Sequence, residues 1–319
     1  MPDRGGRHRQ LSRAGTGGAF GTLLLLVLVA SSLTSCHRRP LRVVAVGDIN
    51  GAAGRDADAV ATKQLTTAFD PDFILGLGDY QYQSGTQSEY ARGFDPVWGP
   101  LVPKIYPVLA PTHDQDWRNA YPLLYWNGAG PRGYRSPVRL RALTPYSFDS
   151  HNWHFIALPD ACYRVSSSLC NPNTITTWLN NDLNRNTKPC TIAYWHQPYF
   201  TSTTGVHGRF TATRPWMQAL VAHRVDLVLH GHQHGYERFR KQNANGAASP
   251  LGIRSVTAGT GGAGHYNFLN RAPGSLVQND TEYGVLRLTL QASSNSYSGR
   301  FVTVGGHTRD SFSSSCLKG

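Results

Sequence analysis

The sequence predicts an α/β domain, and three observations carry that prediction. An apolar run, a helical stretch and a second apolar run succeed one another over residues 41–77, the pattern of a β-α-β unit. Glycine (33) and proline (19) are too frequent for a helix bundle. Apolar strand-like runs then recur to the C-terminus, and several end in Asp or His. At 319 residues the chain is long enough to bury one large core without staples.

The first 35 residues stand apart. Arg4, Arg7, Arg9 and Arg13 precede the apolar run L-L-L-L-V-L-V-A at 23–30, which is too short to span a membrane as a helix. The L-T-S-C that follows resembles the lipobox of bacterial lipoproteins, which implies cleavage before Cys36 and lipidation of its sulfur. The alternative is an ordinary signal peptide cut after Thr34. Two acyl chains would anchor stably, and the lack of a twin-Arg pair before the apolar run favours the general secretory route. The expected product is exported, either lipid-anchored at the outer face of a bacterial cytoplasmic membrane or secreted. Its parts are a signal peptide (1–35), a tether (36–40), one domain (41–305) and a C-terminal tail (306–319).

Within the domain, 41–46 reads as a buried strand ending in Gly47-Asp48. Residues 56–69 read as a helix with Asp56 as its N-cap, and 72–77 as a second strand ending in Gly78-Asp79. A third apolar run covers 105–110, and 146–158 reads as a hairpin about Asp149-Ser150-His151-Asn152. Residues 175–183 are helical with Thr174 as cap. Residues 191–195 form a strand ending at His196, and 214–223 a helix with Pro215 in its first turn. The strand 226–229 runs into His230-Gly231-His232-Gln233-His234. Strands at 253–258, 283–290 and 297–304 complete the set. Ligand sites in open α/β folds lie outside the carboxyl ends of strands, so Asp48, Asp79, His196, His232 and His234 point to one shared site.

Singly these signals are weak, because Gly-Asp ends many strands and a lone histidine usually satisfies a core hydrogen bond. The ordered set G-D-I-N, G-D-Y-Q-Y, P-T-H-D, Y-W-H-Q-P and G-H-Q-H-G-Y-E-R is specific. Two cations a few ångströms apart need a bridging carboxylate with separate N and O ligands, and this donor set suits Fe, Zn or Mn. Such a pair lowers the pKa of a bridging water, giving a hydroxide nucleophile near neutral pH, and neutralises phosphoryl oxygens during in-line displacement.

On these motifs the chain resembles the calcineurin-like metallophosphoesterases, and within them the purple-acid-phosphatase-like branch of bacterial secreted proteins. The resemblance runs from Val43 to about Cys316 and is carried also by G-T-G-G. It implies a four-layer α/β/β/α sandwich of two mixed sheets flanked by helices, and a metal-dependent phosphohydrolase that prefers phosphomonoesters. Residue by residue it implies Asp48, Tyr82 and His234 at a first metal, Asp79 as the bridging carboxylate, and His196 and His232 at a second. Tyr82 as tyrosinate would favour Fe(III), paired with Fe, Zn or Mn. His113 would contact substrate and assist protonation of the leaving group.

The chain departs from the family's G-N-H-D/E motif, whose Asn carbonyl ligates the second metal. Here the segment is Ala110-Pro111-Thr112-His113-Asp114. A Thr hydroxyl is a poorer neutral ligand, and Pro111 stiffens the backbone. The second cation is then weakly held, water-supported, or completed by Asp114 or Asp116. Asn50 stands where many metallophosphoesterases have a His, which shifts weight onto Tyr82. His207 either faces substrate phosphate or sits on a solvated loop. Gly259–Gly264 reads as a plain loop, or else lets backbone approach the site or bind an oxyanion, and is no P-loop because no Lys-Ser/Thr follows. Glu237 and Arg238 read as a structural ion pair or as support for the histidines, and Arg118 and the arginines of 132–141 as a solvated basic surface or a region that steers anions.

With Cys36 assigned to lipid, Cys162, Cys170, Cys190 and Cys316 remain, an even number that suits an oxidising compartment. Three connectivities are open. Cys162 and Cys170 lie close enough for a local bridge, and the resemblance supports Cys190 with Cys316, tying the tail to the domain. The net charge of +12 invites a nucleic-acid reading, but no such binding motif is present. A phosphoester substrate, small or of the envelope, or an anionic surface accounts for it. The rival function is a degenerate lipoprotein that binds phosphate-containing ligands without turnover, motivated by Thr112.

Overall fold

The computed structural model describes residues 39–52, 56–114, 121–141, 143–164 and 171–318. The leader with Cys36, and Asp116, Arg118 and Cys170, lie outside the described residues. The β-α-β unit is present as β1 (Leu41–Val46), α1 (Ala57–Phe69) and β2 (Phe73–Gly76), with Val43 opposite Phe73 in parallel register. Next come α2 (Gln87–Arg92), α3 (Phe94–Trp98), β3 (Ile105–Pro107) and α4 (Tyr121–Leu124). The hairpin is β4 (Tyr146–Ser150) and β5 (Trp153–Ala157). Then follow α5 (Pro172–Arg185), β6 (Cys190–Tyr194), α6 (Arg214–Ala222) and β7 (Leu227–His230). The chain closes with β8 (Tyr236–Phe239), β9 (Arg254–Ala258), β10 (Ser275–Asn279), β11 (Gly284–Leu290), β12 (Ser296–Thr303) and β13 (Thr308–Ser315).

Among the described residues these strands build two mixed sheets, in the orders β13-β12-β11-β1-β2-β3 and β10-β8-β9-β7-β6-β5-β4. Side chains alternate across a strand, and here both faces are apolar. Leu41, Val43 and Ala45 join Trp153, Phe155, Ile192 and Leu227 in the layer between the sheets. Val44 and Val46 join Ala59 of α1 and Trp98 of α3, while Ala193 and Val228 join Leu179 of α5 and Trp216 of α6. That gives the four-layer α/β/β/α sandwich.

Several local expectations are revised. Asp56 holds the N-cap position of α1, but its carboxylate accepts from the Gly51 amide instead of capping the helix. Helix α5 starts before Thr174. Pro172 lacks an N–H and suits the first helical position, and Asn171 caps by accepting from the Asn173 amide at 2.8 Å. Residues 308–315 form an edge strand that buries Asp310 and Phe312 and leaves Ser311 and Ser313 in solvent. A disulfide joins Cys190 at the start of β6 to Cys316 beyond β13. No helix among the described residues is long and apolar enough to cross a membrane.

Candidate metal centre

The carboxyl ends of β1, β2, β6 and β7 deliver Asp48, Asp79, His196 and the pair His232 and His234. The Asp48 amide donates to the Gly78 carbonyl at 3.1 Å, and the Gly231 amide to the His196 carbonyl at 3.0 Å, so neighbouring strand ends are locked together. Asp48 (φ 55°), Asp79 (φ 51°) and His232 (φ 69°) all take the left-handed conformation. For side-chain-bearing residues this costs about 1–3 kcal/mol each, and it concentrates where geometry serves a site. The glycine loop of 259–264 is a close backbone approach and not a plain loop. A Cβ on Gly259 would lie 2.6 Å from Asp48 Oδ2.

Two ligand sets share one carboxylate. The Tyr82 hydroxyl lies 2.9 Å from Asp48 Oδ1, 2.8 Å from His234 Nε2 and 3.2 Å from Asp79 Oδ2. The same Asp79 oxygen lies 3.1 Å from His196 Nε2. Ligating atoms of Asp79, His196 and His232 all fall within 4.8 Å of one another. All of these residues are buried.

Backbone carbonyls orient two imidazoles. His196 Nδ1 donates to the Leu77 carbonyl at 2.8 Å, and His234 Nδ1 to the Gly264 carbonyl. In each neutral ring this leaves Nε2 as a lone pair. Those lone pairs then face carboxylate oxygens, His234 toward Asp48 at 3.3 Å and His196 toward Asp79 at 3.1 Å. Tyr82 has one proton for three acceptors. Lone pairs facing lone pairs at this distance repel unless cations or extra protons stand between them, so the donor set fits metal binding.

Without cations the electrostatics express the same conflict. Burial would lower His196, yet the adjoining Asp79 carboxylate lifts it to about 10. Burial, with the charge of His196 added, drives His232 down to about 3. Burial resists ionisation of Asp48, but His234 holds it below the usual carboxylate range. Burial, then Asp48 and Asp79, push the Tyr82 phenol well up.

The other candidates separate. The hydroxyl of Thr112 donates to Asp79 Oδ2 at 2.7 Å and lies 3.1 Å from His196 Nε2, so it sits inside the centre. His113 lies at its edge. Its amide donates to Asp79 Oδ1 at 2.9 Å, Nδ1 is 2.5 Å from the Gln83 carbonyl, and its ring is 4.0 Å from Tyr82. Asp114 turns away from the cation positions and accepts from the Asp79 and Ala110 amides at 3.0 and 2.9 Å. Burial and Asp79 raise it to about 7. The Asn50 amide donates to Gln81 Oε1 at 2.7 Å, bracing the loop. His207 is near, its ring 5.0 Å from His232.

Glu237 and Arg238 do not pair with each other, because neighbouring residues on β8 face opposite sides. Glu237 accepts from the Ser202 amide at 2.9 Å, and Arg238 binds Asp310 at 2.6 Å. Arg132 is not merely solvated, since it pairs with buried Asp95. Arg135, Arg139 and Arg141 are exposed.

Sequence reasoning missed Asp160, Gln197 and Tyr266. Asp160 accepts from the Gln197 amide at 2.7 Å and the His196 amide at 3.4 Å. It follows the end of β5, so the strand-end rule could have found it. Gln197 Nε2 lies 3.4 Å from His232 Nε2. Tyr266 stacks on His234 at 4.1 Å, a loop contact without a sequence signal.

Residues 41–236 match the family model described as calcineurin-like phosphoesterase. Purple acid phosphatase 23 of Arabidopsis thaliana is 33% identical over 264 residues, covering 72% of this chain and 54% of that protein. Purple acid phosphatase 22 of the same plant is 37% identical over 89 residues, covering 27% and 20%. The chain thus spans about half, or less, of the length of these relatives. Two solved structures share the fold. The purple acid phosphatase PPD1 of yellow lupin (Lupinus luteus) seeds has a TM-score of 0.65 at 19% identity over 86% of this chain and 53% of that one. GAP50, the anchor in the inner membrane complex of Plasmodium, has a TM-score of 0.62 at 16% identity over 88% and 90%. The family match covers more than half of the chain and contains every metal-ligand residue from Asp48 to His234, so the chain belongs to the calcineurin-like phosphoesterase family.

Proposed function

We propose that this protein is an exported phosphohydrolase that works with two bound cations and prefers phosphomonoesters. One observation carries the reading: a single oxygen of Asp79 lies within 3.2 Å of both the Tyr82 hydroxyl and His196 Nε2, between two otherwise separate ligand sets. Asp48, Tyr82 and His234 would hold one cation and His196 and His232 the other, with Asp79 common to both. A phenolate ligand favours Fe(III) at the first, with Fe, Zn or Mn at the second. When bound, the pair supplies Lewis acidity toward phosphoryl oxygens and lowers the pKa of a water.

The chain's own groups do the rest. The carbonyls of Leu77 and Gly264 hold two imidazoles in the tautomer that presents Nε2. His113, anchored through Nδ1 on the Gln83 carbonyl, has its other ring nitrogen to pass a proton to the departing alcohol. The Cys190–Cys316 disulfide and the leader support export, with Cys36 as the lipid-anchored residue.

Elemental analysis of protein purified without a histidine tag, an absorbance scan for a tyrosinate–Fe(III) band, and hydrolysis of an aryl phosphate test this together. Less than one metal per chain and no turnover after adding Fe, Zn or Mn would refute it. A second reading, phosphate binding without turnover, is favoured by Thr112, whose hydroxyl replaces an amide carbonyl. Restoring that ligand with Thr112→Asn should raise turnover strongly if the second cation is limiting.

A further inference from the structure

We propose that the protein carries a second, non-catalytic binding site, built on Arg287 and Arg300 on the outer face of the six-stranded sheet, and that it takes a phosphate-bearing ligand. The proposal does not depend on the hydrolase reading. Strand register puts the site together. Arg287 of β11 stands opposite Arg300 of β12, and Thr289, two residues on, stands opposite Ser298 and, across the other edge, Arg42 of β1. Leu286, Leu288 and Leu290 alternate with them and point into the layer between the sheets, so Arg287 and Thr289 face outward. Arg287 and Arg300 line a cavity of about 430 Å³ with Thr289, Ser298 and Thr308, and Phe69 at the end of α1 forms one wall. That volume suits a small molecule. None of these residues belongs to the metal centre. Val44, opposite Arg287 on β1, precedes Asp48 by four residues, about 13 Å of extended chain.

The fold leaves this charge without a counter-ion. Like charges directly across a strand pair repel. Among the described residues no carboxylate forms an ion pair with Arg42, Arg287 or Arg300. Asp72, just past α1, is taken by Arg39 and the Arg42 amide, and Asp70 by Lys104. Arg287 is nevertheless held in place. One Nη donates to the Leu65 carbonyl at 3.0 Å, and its guanidinium lies 5.0 Å from the centre of the Phe69 ring, on which Arg42 also packs at 4.7 Å. Its Nε is buried without a hydrogen-bond partner, a rare state that calls for an acceptor. Burial, then the charge of Arg42, lower the pKa of Arg287, so both oppose its charge until an anion arrives. A planar guanidinium matches two oxygens of a phosphate. Two guanidiniums and three hydroxyls offer donors on several sides, which fits a tetrahedral phosphate better than a planar carboxylate. The net charge of +12 thereby finds a place, since the metal ligands proposed above are Asp, Tyr and His.

The test is equilibrium dialysis of metal-loaded full-length protein against radiolabelled inorganic phosphate. The wild type should bind two phosphates per chain in the sub-millimolar range, one at the metals and one at this site. Arg300 is exposed, so Arg300→Gln keeps the fold. That variant should hold the phosphate at the metals and bind the second at least about tenfold more weakly, through loss of a charge-assisted bond. It should turn over an aryl phosphate at the wild-type rate. Arg240→Gln, at an exposed position just beyond β8, should retain both phosphates. Equal phosphate binding by wild type and Arg300→Gln, or an equal loss in Arg240→Gln, would overturn the proposal while leaving the hydrolase reading intact. A wild type that binds one phosphate, lost in Arg300→Gln, would uphold this site and count against the hydrolase reading instead. Vesicles then name the source of the phosphate. Stronger retention on mixed phosphatidylglycerol and phosphatidylcholine than on phosphatidylcholine alone, removed by Arg300→Gln, assigns a lipid headgroup, and equal retention on both assigns a soluble phosphate compound.

Discussion

Replacing Asp160 should weaken the metal centre without touching a ligand. The residue is fully buried, and its carboxylate accepts from the Gln197 amide at 2.7 Å and, more weakly, from the His196 amide at 3.4 Å. A backbone donor on a charged acceptor contributes about 1.5–3 kcal/mol, and a buried N–H left unpaired costs about 1–3 kcal/mol. Taking the short bond at full weight and the long one at little, Asp160→Ala should lose about 2–4 kcal/mol of stability. The backbone that aims His196 then loosens, and outer support of this kind is worth about 10- to 100-fold in metal affinity. Asp160→Asn keeps an acceptor oxygen for Gln197, so most of both losses should be restored. Urea unfolding gives the stability, and competition with a chromophoric chelator gives the affinity. An Ala variant that binds cation as tightly as wild type, or an Asn variant as impaired as Ala, would refute this account of how His196 is positioned.

Three further outcomes are expected. The Cys190–Cys316 bridge closes a separation of 126 residues, so on the chain-entropy model the Cys190→Ala/Cys316→Ala variant should lose about 5 kcal/mol in urea unfolding. A loss below about 1 kcal/mol would mean the unfolded chain is already compact. Tyr82→Phe should abolish any visible charge-transfer band of the iron-loaded protein while far-ultraviolet dichroism is unchanged; a band that persists would remove Tyr82 from the ligand set. Asp226, raised to about 6 chiefly by burial, is a group whose folded pKa exceeds its unfolded one. Its contribution is therefore fully present below the ordinary carboxylate pKa near 4 and is lost as pH rises through about 6, a change of about 3 kcal/mol. Asp226→Asn should flatten that part of the stability profile between pH 4 and 7, and a profile that keeps the wild-type slope would contradict it.

The metal motifs were legible because they are local. Asp48, Asp79, His196, His232 and His234 each follow an apolar run that can only be a buried strand, and parallel strands bring their carboxyl ends to one edge. Strands β8 and β13 were not legible. Y-E-R-F and T-R-D-S-F-S-S-S are polar, and only pairing with β9 and β12 makes them strands. The first turn of α5 was missed because Asn171 and Pro172 read as a loop until the helix behind them is seen to need a cap.

The sequence by itself determined the α/β class, the identity of the donor atoms and the order in which strands carry them. The tertiary structure decided which oxygen is shared, that Asp114 serves backbone amides while Thr112 touches Asp79, and which carbonyls orient His196 and His234. The physical reason is one of range. Strand periodicity and residue chemistry are written within a few neighbours, whereas Leu77 and His196 meet only because two sheets pack face to face, and Gly264 and His234 only because β9 pairs with β7. Backbone carbonyls carry no residue-specific letter by which such a meeting could be read beforehand.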